Sequence, residues 1–139
     1  MKKIIAVLLF LTLSVLCLSV LPVHGEEGIY DSVIRLHVLA NSDGEEDQAL
    51  KLKVRDAVLA RAGELLAEVD TLEEAETVLA ASLDDLARHA AACLAENGSG
   101  YPVRVTLGRE QYPTRYYEKL AFPAGEYLSL RVLIGKGAG

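Results

Sequence analysis

Residues 34–58 constrain the fold most, because they combine the patterns of a strand, a tight polar corner and a helix with no linker between them. Apolar residues alternate with other residues over positions 34–39, which is the period of a strand with one buried face. Positions 41–44 read Asn-Ser-Asp-Gly and favour a turn. Ser42 and Glu45 have capping-box spacing, so we expect a helix to begin directly after the corner.

Two helices are predicted after this corner. The first covers about 25 residues from Glu45, and it carries two apolar stripes where a single buried face would give one, so we expect it to contact both a sheet and another neighbour. The two stripes consist of Leu50, Val54, Ala57, Val58 and Leu65, and of Leu52, Leu59 and Leu66. Thr71 and Glu74 repeat the capping-box spacing and begin a second amphipathic helix. Asn97-Gly98 is a good stop for that helix.

From Tyr101 onward the apolar period changes to two residues. Residues 103–108 and 127–134 alternate in this way and predict two strands. Residues 112–117 contain a proline, which suits an edge strand or a loop. The predicted order is β-α-α-β-(β)-β. We therefore expect an α+β domain, in which a small antiparallel or mixed sheet has two helices packed on one face.

The N-terminus has the pattern of an export signal. Two lysines precede an apolar run over residues 4–21, and small residues follow near Gly25. We expect residues 1–25 to be a signal peptide; since the run is about long enough to cross a bilayer, an uncleaved anchor is the alternative. Both interpretations place residues 26–139, as a single domain, outside the cytoplasm of the cell that makes them.

Charge and cysteine content narrow the function classes. The 139-residue chain has a formal net charge of −6, and the leader holds two lysines and no acid, which leaves about −8 for the exported part. Nucleic acids and anionic membrane surfaces both attract cationic proteins, so neither is the expected partner. Cys17 lies in the leader, so Cys93 has no partner for an internal disulfide in the exported part. Cys93 falls on the apolar helix face, as a small buried residue or as a free or intermolecular thiol.

Motifs for catalysis or cofactor binding are absent from the sequence. There is no G-x-S-x-G, H-E-x-x-H, C-x-x-C or phosphate-binding glycine loop. Residues 41–47 contain acidic side chains, but their glycine comes too early for a calcium loop and the bidentate glutamate is missing. His37 lies in a strand opposite the apolar face and favours a structural hydrogen bond, since general-base work needs a positioned partner. We therefore expect no catalytic residue, cofactor or metal.

Several strings, in the same order, closely resemble stage II sporulation protein R of endospore-forming bacteria. They are R-L-H-V-L-A-N-S-D at 35–43, E-D-Q-A-L-K-L-K-V-R-D-A-V at 46–58, Y-P-V at 101–103, Y-P-T-R-Y-Y at 112–117 and P-A-G-E-Y at 123–127. The resemblance covers most of the chain from about Val33, where strand patterning also begins. Family members usually continue into a tail with paired tryptophans and a cysteine. We therefore expect this sequence, which stops at Gly139, to be truncated before that tail.

The resemblance implies an intercellular signal and not an enzyme. Proteins of this family are made in the forespore and exported into the space between forespore and mother cell. There they trigger stage II sporulation protein GA, a membrane-embedded aspartic protease that processes pro-sigma-E in the mother cell. That protease is the expected partner, and membrane contact is expected only through the leader or the partner. We expect the partner-binding residues among Arg35, His37, Asn41, Asp43, Lys51, Arg55, Arg115 and Arg131.

Other interpretations remain open from the residues themselves. Lys51 and Arg55 could cover apolar surface with their aliphatic stems and pair with Asp47 along the helix. The tyrosines near the C-terminus could pack on the sheet with their hydroxyls in water. As whole functions, the alternatives are an exported envelope-associated structural module, or an exported hydrolase that uses His37 with Asp43 or Glu45.

Overall fold

The computed structural model describes residues 33–117 and 120–139. Its elements are β1 (Ile34–Leu39), α1 (Glu45–Leu65), α2 (Leu72–Ala81), α3 (Leu83–Glu96), β2 (Val103–Tyr112), β3 (Arg115–Tyr117), β4 (Leu120–Phe122) and β5 (Gly125–Ile134). The α+β prediction is confirmed, although three helices replace the two expected. The predicted signal peptide lies outside the described residues.

Strand β5 is the middle of a three-stranded mixed sheet with the order β1-β5-β2. Strand β1 runs parallel to β5, and Ile34 lies opposite Leu128. Strand β2 runs antiparallel to β5, and Val105 lies opposite Val132. Strands β3 and β4 pair separately as a short antiparallel ribbon, which we call the β3–β4 ribbon. Because side chains alternate along each strand, this register separates the sheet into two faces of different chemistry.

One face of the sheet packs against the helices and forms the hydrophobic core. Its buried members are Ile34, Val105, Leu128, Leu130, Val132 and Ile134, and the helices supply Val54, Val58, Ala62, Leu79, Leu86, Ala90 and Leu94. Burial of a leucine or valine side chain contributes about 1.5–3 kcal/mol, so this face supplies most of the stability. We call the opposite face, which carries the intervening residues of the three strands, the outer face.

Helix α1 confirms both predicted stripes in part. In the first stripe Val54 and Val58 are buried, and Leu50 and Leu65 are half-buried against the core. In the second stripe Leu66 is buried and Leu59 is half-buried against the core, whereas Leu52 is 49% exposed. The helix ends at Leu65, earlier than predicted, because a tight turn closed by a hydrogen bond from Val69 N to Leu66 O places Val69 in the core.

The predicted second helix is divided into α2 and α3 at Ser82. The Ser82 hydroxyl donates to the Val78 carbonyl oxygen at 2.7 Å, a contact that competes with the helical hydrogen-bond ladder. The predicted start is confirmed, since Thr71 Oγ1 accepts from the Glu74 backbone N–H at 3.1 Å. The predicted stop is confirmed too, because the helix ends before Gly98, whose φ is 77°.

A bidentate ion pair joins α1 to α3. Arg61 donates from Nε to Asp85 Oδ1 at 2.7 Å and from Nη2 to Oδ2 at 2.9 Å. These hydrogen bonds lower the pKa of Asp85 to about 2 and raise that of Arg61. The pair therefore fixes the relative position of two helices that share the same core.

Strand β2 is longer than the sequence predicted. It was expected to end near Gly108, but it stays paired with β5 as far as Tyr112, which lies opposite Gly125. This extension brings Glu110 and Tyr112 onto the outer face. Among the helices within residues 33–117 and 120–139, none has the length and hydropathy that crossing a membrane requires.

Candidate partner-binding site

The outer face of the sheet brings together charged, polar and aromatic side chains from all three strands. The register places His37 opposite Arg131 and Arg35 opposite Ser129. Strand β2 adds two further side chains from the other side of β5. We call this set the outer-face cluster, and it consists of Arg35, His37, Glu110, Tyr112, Ser129 and Arg131.

Glu110 is the centre of the outer-face cluster. Its Oε1 accepts from Ser129 Oγ at 2.7 Å and from the Tyr112 hydroxyl at 3.1 Å. Its Oε2 lies 3.0 Å from His37 Nδ1 and 3.7 Å from Arg131 Nε. Because a carboxylate can only accept, His37 holds a proton on Nδ1. Burial acts to raise the pKa of Glu110, but the hydrogen bond from Ser129 and the charge of His37 outweigh it. The net pKa lies below its ordinary value, so the carboxyl group is ionised at neutral pH.

Ser129 and Tyr112 complete a buried hydrogen-bonded ring with that carboxylate. Ser129 is fully buried, and its oxygen lies 2.7 Å from the Tyr112 hydroxyl. Since Ser129 uses its proton on Glu110, the Tyr112 proton is directed at the serine and carboxylate oxygens. Burial raises the pKa of Tyr112 to about 12. The ring therefore holds Glu110 in one position.

Arg35 lies beneath this surface among aromatic rings. Its Cζ is 4.2 Å from the ring centroid of Tyr112 and 5.0 Å from those of Phe122 and Tyr127. The residue is only 8% exposed. A cation held over aromatic rings in this way contributes up to about 2 kcal/mol when desolvated. Arg35 therefore attaches the β3–β4 ribbon, through Phe122, to the sheet, and its contact with a partner stays a prediction.

The polar corner before α1 is closed by hydrogen bonds. Asp47 accepts from Ser42 Oγ at 2.7 Å, from Asn41 Nδ2 at 3.0 Å and from the Tyr101 hydroxyl at 2.9 Å. These three bonds lower the pKa of Asp47. The predicted capping box of Ser42 is wrong, because Gly44 is the N-cap residue and no side chain caps the helix. Ser42 uses its proton on Asp47, which also has two other donors.

The glycine-rich end of the chain packs on this corner. The Lys136 N–H donates to Asn41 Oδ1 at 2.9 Å, and Lys51 Nζ donates to the Gly139 oxygen at 3.2 Å. Gly135 has a φ of 59°, and a Cβ there would lie 2.3 Å from Asn41 Oδ1. Glycine is therefore required for this close approach.

The predicted partner-binding residues lie in separate places. His37 and Arg131 are neighbours on the outer face, with side chains 37% and 39% exposed, and Arg35 lies below them. The polar corner holds Asn41, Lys51 and the exposed Asp43. Arg55 is exposed on α1 and pairs with Asp56 at 3.0 Å, while Arg115 is exposed on β3. On the outer face, His37 and Arg131 are direct cross-strand neighbours and both are half-exposed.

Sequence reasoning missed the residue that organises the site. Glu110 was not singled out, since the strand was expected to end two residues before it. The sequence does contain a signal for Glu110, because a strand that continues its two-residue alternation past Gly108 puts Glu110 on the same face as His37. His37 contacts Glu110 and not the Asp43 or Glu45 of the hydrolase alternative.

Metal binding and thiol chemistry have little support elsewhere in the described part of the chain. In the described ranges, no group of three or more His, Cys, Asp or Glu side chains is placed to hold a metal ion. Cys93 is half-buried against the core, as the helical pattern indicated, and burial raises the pKa of its thiol. A thiol with a raised pKa is a poor nucleophile at neutral pH.

Comparison with known proteins gives one consistent relationship. The sequence profile of the family described as stage II sporulation protein R matches residues 30–139. Stage II sporulation protein R of Bacillus subtilis (strain 168) is 33% identical over 111 residues, which cover 80% of this chain and 50% of that protein. The chain thus spans about half the length of this curated relative, and no solved structure matches it. The chain belongs to the stage II sporulation protein R family.

Proposed function

We propose that this protein is an exported signal of endospore formation. In this proposal it leaves the forespore, enters the space between forespore and mother cell, and activates stage II sporulation protein GA, the membrane-embedded aspartic protease that processes pro-sigma-E. Membership of the family supports the sporulation role. The lysine-led apolar run at the N-terminus supports export. The identity of the protease follows from the resemblance of the matched strings.

The observation that carries a binding function is the arrangement of the outer-face cluster. His37 and Arg131 are half-exposed above a layer that is fixed by the Glu110 hydrogen bonds. Arginine is among the residue types that dominate binding energies at protein interfaces. Because the supporting side chains are already ordered, a partner would not have to order them on binding.

The same geometry argues against a hydrolase built on this cluster. A nucleophile, base and orienting acid require the histidine between the other two groups. Here Glu110 lies between Ser129 and His37, and Ser129 donates its proton directly to the carboxylate. Ser129 is also fully buried, so no substrate reaches its oxygen in this arrangement. The cluster therefore supports binding better than acyl transfer.

A ligand activates an enzyme only if it binds the active state better than the inactive one. To move a protease from about 1% to about 99% active, the preference must be about 10⁴-fold, or about 5.5 kcal/mol. A few well-placed interface contacts supply this amount. A protein of this size can therefore act as the sole trigger.

The test is co-expression in a bacterial host that does not sporulate. The host makes the protease and pro-sigma-E, together with the full chain, a variant lacking residues 1–25, or an empty vector. Immunoblotting measures the processed fraction of pro-sigma-E. Of the three arms, only the one with the full chain should process pro-sigma-E, since the signal must leave the cytoplasm to act. Equal processing with the empty vector or with the leaderless variant would refute the proposal, and the first result would favour the envelope-module alternative.

A further inference from the structure

We propose that the outer face binds a carboxylate-bearing segment of the partner protein, held by Arg131 and His37 over the open position above Gly108. This inference deepens the proposed function, because it names the surface and the chemistry of the partner segment. It rests on the proposed function only for the identity of that partner. Of the predicted contact residues it selects Arg131 and His37, and it leaves Arg55 and Arg115 outside the contact.

Arg131 supplies the main attraction for a carboxylate. Its side chain is 39% exposed, and its Nε lies 3.7 Å from Glu110 Oε2, which is an ion-pair distance and too long for a hydrogen bond. Nε itself is buried and has no hydrogen-bond partner within the described ranges, so the donors open to a ligand are the terminal nitrogens of the half-exposed side chain. The Glu110 oxygens already accept from Ser129, Tyr112 and His37. The guanidinium therefore keeps donors for an incoming carboxylate, which it can bind through two parallel bonds.

His37 lies beside Arg131 and is a second donor to the segment only as the imidazolium, because its Nδ1 proton is used on Glu110. The two residues are direct cross-strand neighbours on β1 and β5, so their side chains lie side by side on one face. The contact of Nδ1 with Glu110 fixes the imidazole, whose side chain remains 37% exposed. The neutral ring presents Nε2 as an acceptor, and the carboxylate is then held by Arg131. Glu110 opposes an incoming anion, but His37 and Arg131 both lie within 4 Å of its carboxylate.

Gly108 provides the space for the segment. It lies in the middle of β2, opposite Ser129, and two residues from Thr106, which faces Arg131. A Cβ at this position would meet no atom within 4 Å, and the backbone does not need a positive φ. The chain itself therefore has no steric requirement for glycine here, although glycine weakens a strand interior. A glycine of this kind marks a place where another backbone can approach closely.

Charge distribution favours a protein segment over a lipid surface. The whole chain has a net charge of −6, which repels an anionic bilayer. The outer-face cluster has the opposite balance, since it holds the two arginines Arg35 and Arg131 against the one carboxylate of Glu110. A local cationic site on an acidic protein suits a single acidic segment, because complementarity over a small area sets orientation and specificity. Tyr116, which is 78% exposed on the β3–β4 ribbon, adds an aromatic side chain of the type found at protein interfaces.

The test uses two substitutions and two matched controls. Arg131→Gln removes the proposed carboxylate donor, and Arg88→Gln removes the same charge from the exposed side of α3. Gly108→Val fills the open position without changing charge, and Gly100→Val places the same side chain in open space before β2. The full-length chain in detergent is titrated, by NMR or calorimetry, with a blocked peptide of alternating glutamate and valine. The lysine–valine peptide and sn-glycerol 3-phosphate serve as comparison ligands, and thermal melting confirms that each variant folds.

We expect the acidic peptide to bind and to shift the amide signals of His37, Gly108 and Arg131. Arg131→Gln should weaken this binding at least tenfold, since one charged hydrogen-bonded pair accounts for a change of that size. Gly108→Val should weaken it to a similar extent, because its side chain fills the space that the segment occupies. Both controls should bind like the natural chain. No binding of the acidic peptide, or equal loss in the controls, would overturn the inference. Binding of glycerol phosphate as tight as that of the peptide would overturn the choice of a protein segment.

The same variants in the co-expression host separate this inference from the proposed function. If the natural chain triggers processing of pro-sigma-E and Arg131→Gln and Gly108→Val trigger it equally, the outer-face inference fails and the function stands. If the acidic peptide binds as expected but no chain triggers processing, the surface stands and the function fails.

Discussion

Ser129→Ala should destabilise the protein strongly for so small a change. Ser129 is fully buried on the central strand, and its hydroxyl donates to the Glu110 carboxylate at 2.7 Å. A hydrogen bond to a charged group contributes about 1.5–3 kcal/mol. Tyr112 keeps its own bond of 3.1 Å to Glu110 after the substitution, which limits the loss. We therefore expect the free energy of unfolding to fall by about 2 kcal/mol at pH 7.

The effect of Ser129→Ala should depend on pH in one direction. The pKa of Glu110 in the folded protein lies below its value of 4.5 in an unfolded chain. Its interactions therefore contribute fully above about pH 4.5 and are lost as the pH falls through the lower folded pKa. Once Glu110 is protonated, only a neutral hydrogen bond of about 0.5–1.5 kcal/mol remains to be lost. The cost of Ser129→Ala should thus be smaller below the folded pKa of Glu110 than at pH 7.

Urea unfolding of four proteins measures this coupling directly. The natural chain, Ser129→Ala, Glu110→Gln and the double variant form a double-mutant cycle, which isolates the energy of the Ser129–Glu110 pair. The expected result is a coupling energy above about 1 kcal/mol at pH 7 that shrinks as the pH falls through the folded pKa of Glu110. A cost below about 0.5 kcal/mol at pH 7, or a cost independent of pH, would refute the assignment of Glu110 as the charged centre of the cluster.

Three further predictions concern Gly135, Asp85 and Arg35. Gly135→Ala should lower the free energy of unfolding by about 1–3 kcal/mol, since its Cβ would meet the asparagine oxygen of the corner. Gly98→Ala, with a similar φ and open surroundings, should cost less, and equal costs in thermal melting would contradict the close approach. The Asp85 carboxyl should titrate by NMR near pH 2, so the stability that it contributes is full above pH 3.8, declines as the pH falls further, and is gone below about pH 2. Arg61→Gln should move that midpoint upward, and an unchanged midpoint would show that the ion pair is not its cause. Arg35→Lys should cost about 1–2 kcal/mol in urea unfolding, because an ammonium group cannot stack on three rings as a guanidinium does, and an unchanged stability would contradict the aromatic contacts.

The elements that sequence predicted correctly are those fixed by local chemistry. Thr71 caps its helix and Gly98 ends the next, because each acts on neighbouring backbone groups. The break at Ser82 was not predictable from periodicity, since apolar spacing continues through it. Ser42 has capping-box spacing with Glu45, but it was wrongly predicted to cap the helix, because sequence spacing does not show which group its hydroxyl contacts in the fold. Its hydroxyl bonds to Asp47, which Tyr101 also contacts from 54 residues away.

The candidate site was predictable only in its parts. Alternation placed His37 on the face away from the core, which the register confirms. Its partner Glu110 lies 73 residues further along the chain, and only pairing of β2 with β5 brings them together. Gly108 was interpreted as the end of a strand, since glycine weakens strands in general. Tertiary pairing overrides that local preference, and the strand continues for four residues beyond it.

The processed fraction of pro-sigma-E in the co-expression host is the decisive measurement for the signalling function. We expect processing when the exported full chain is present, and background processing when the chain is absent or retained in the cytoplasm. Processing that is equally complete without the chain would contradict the claim that this protein is the signal.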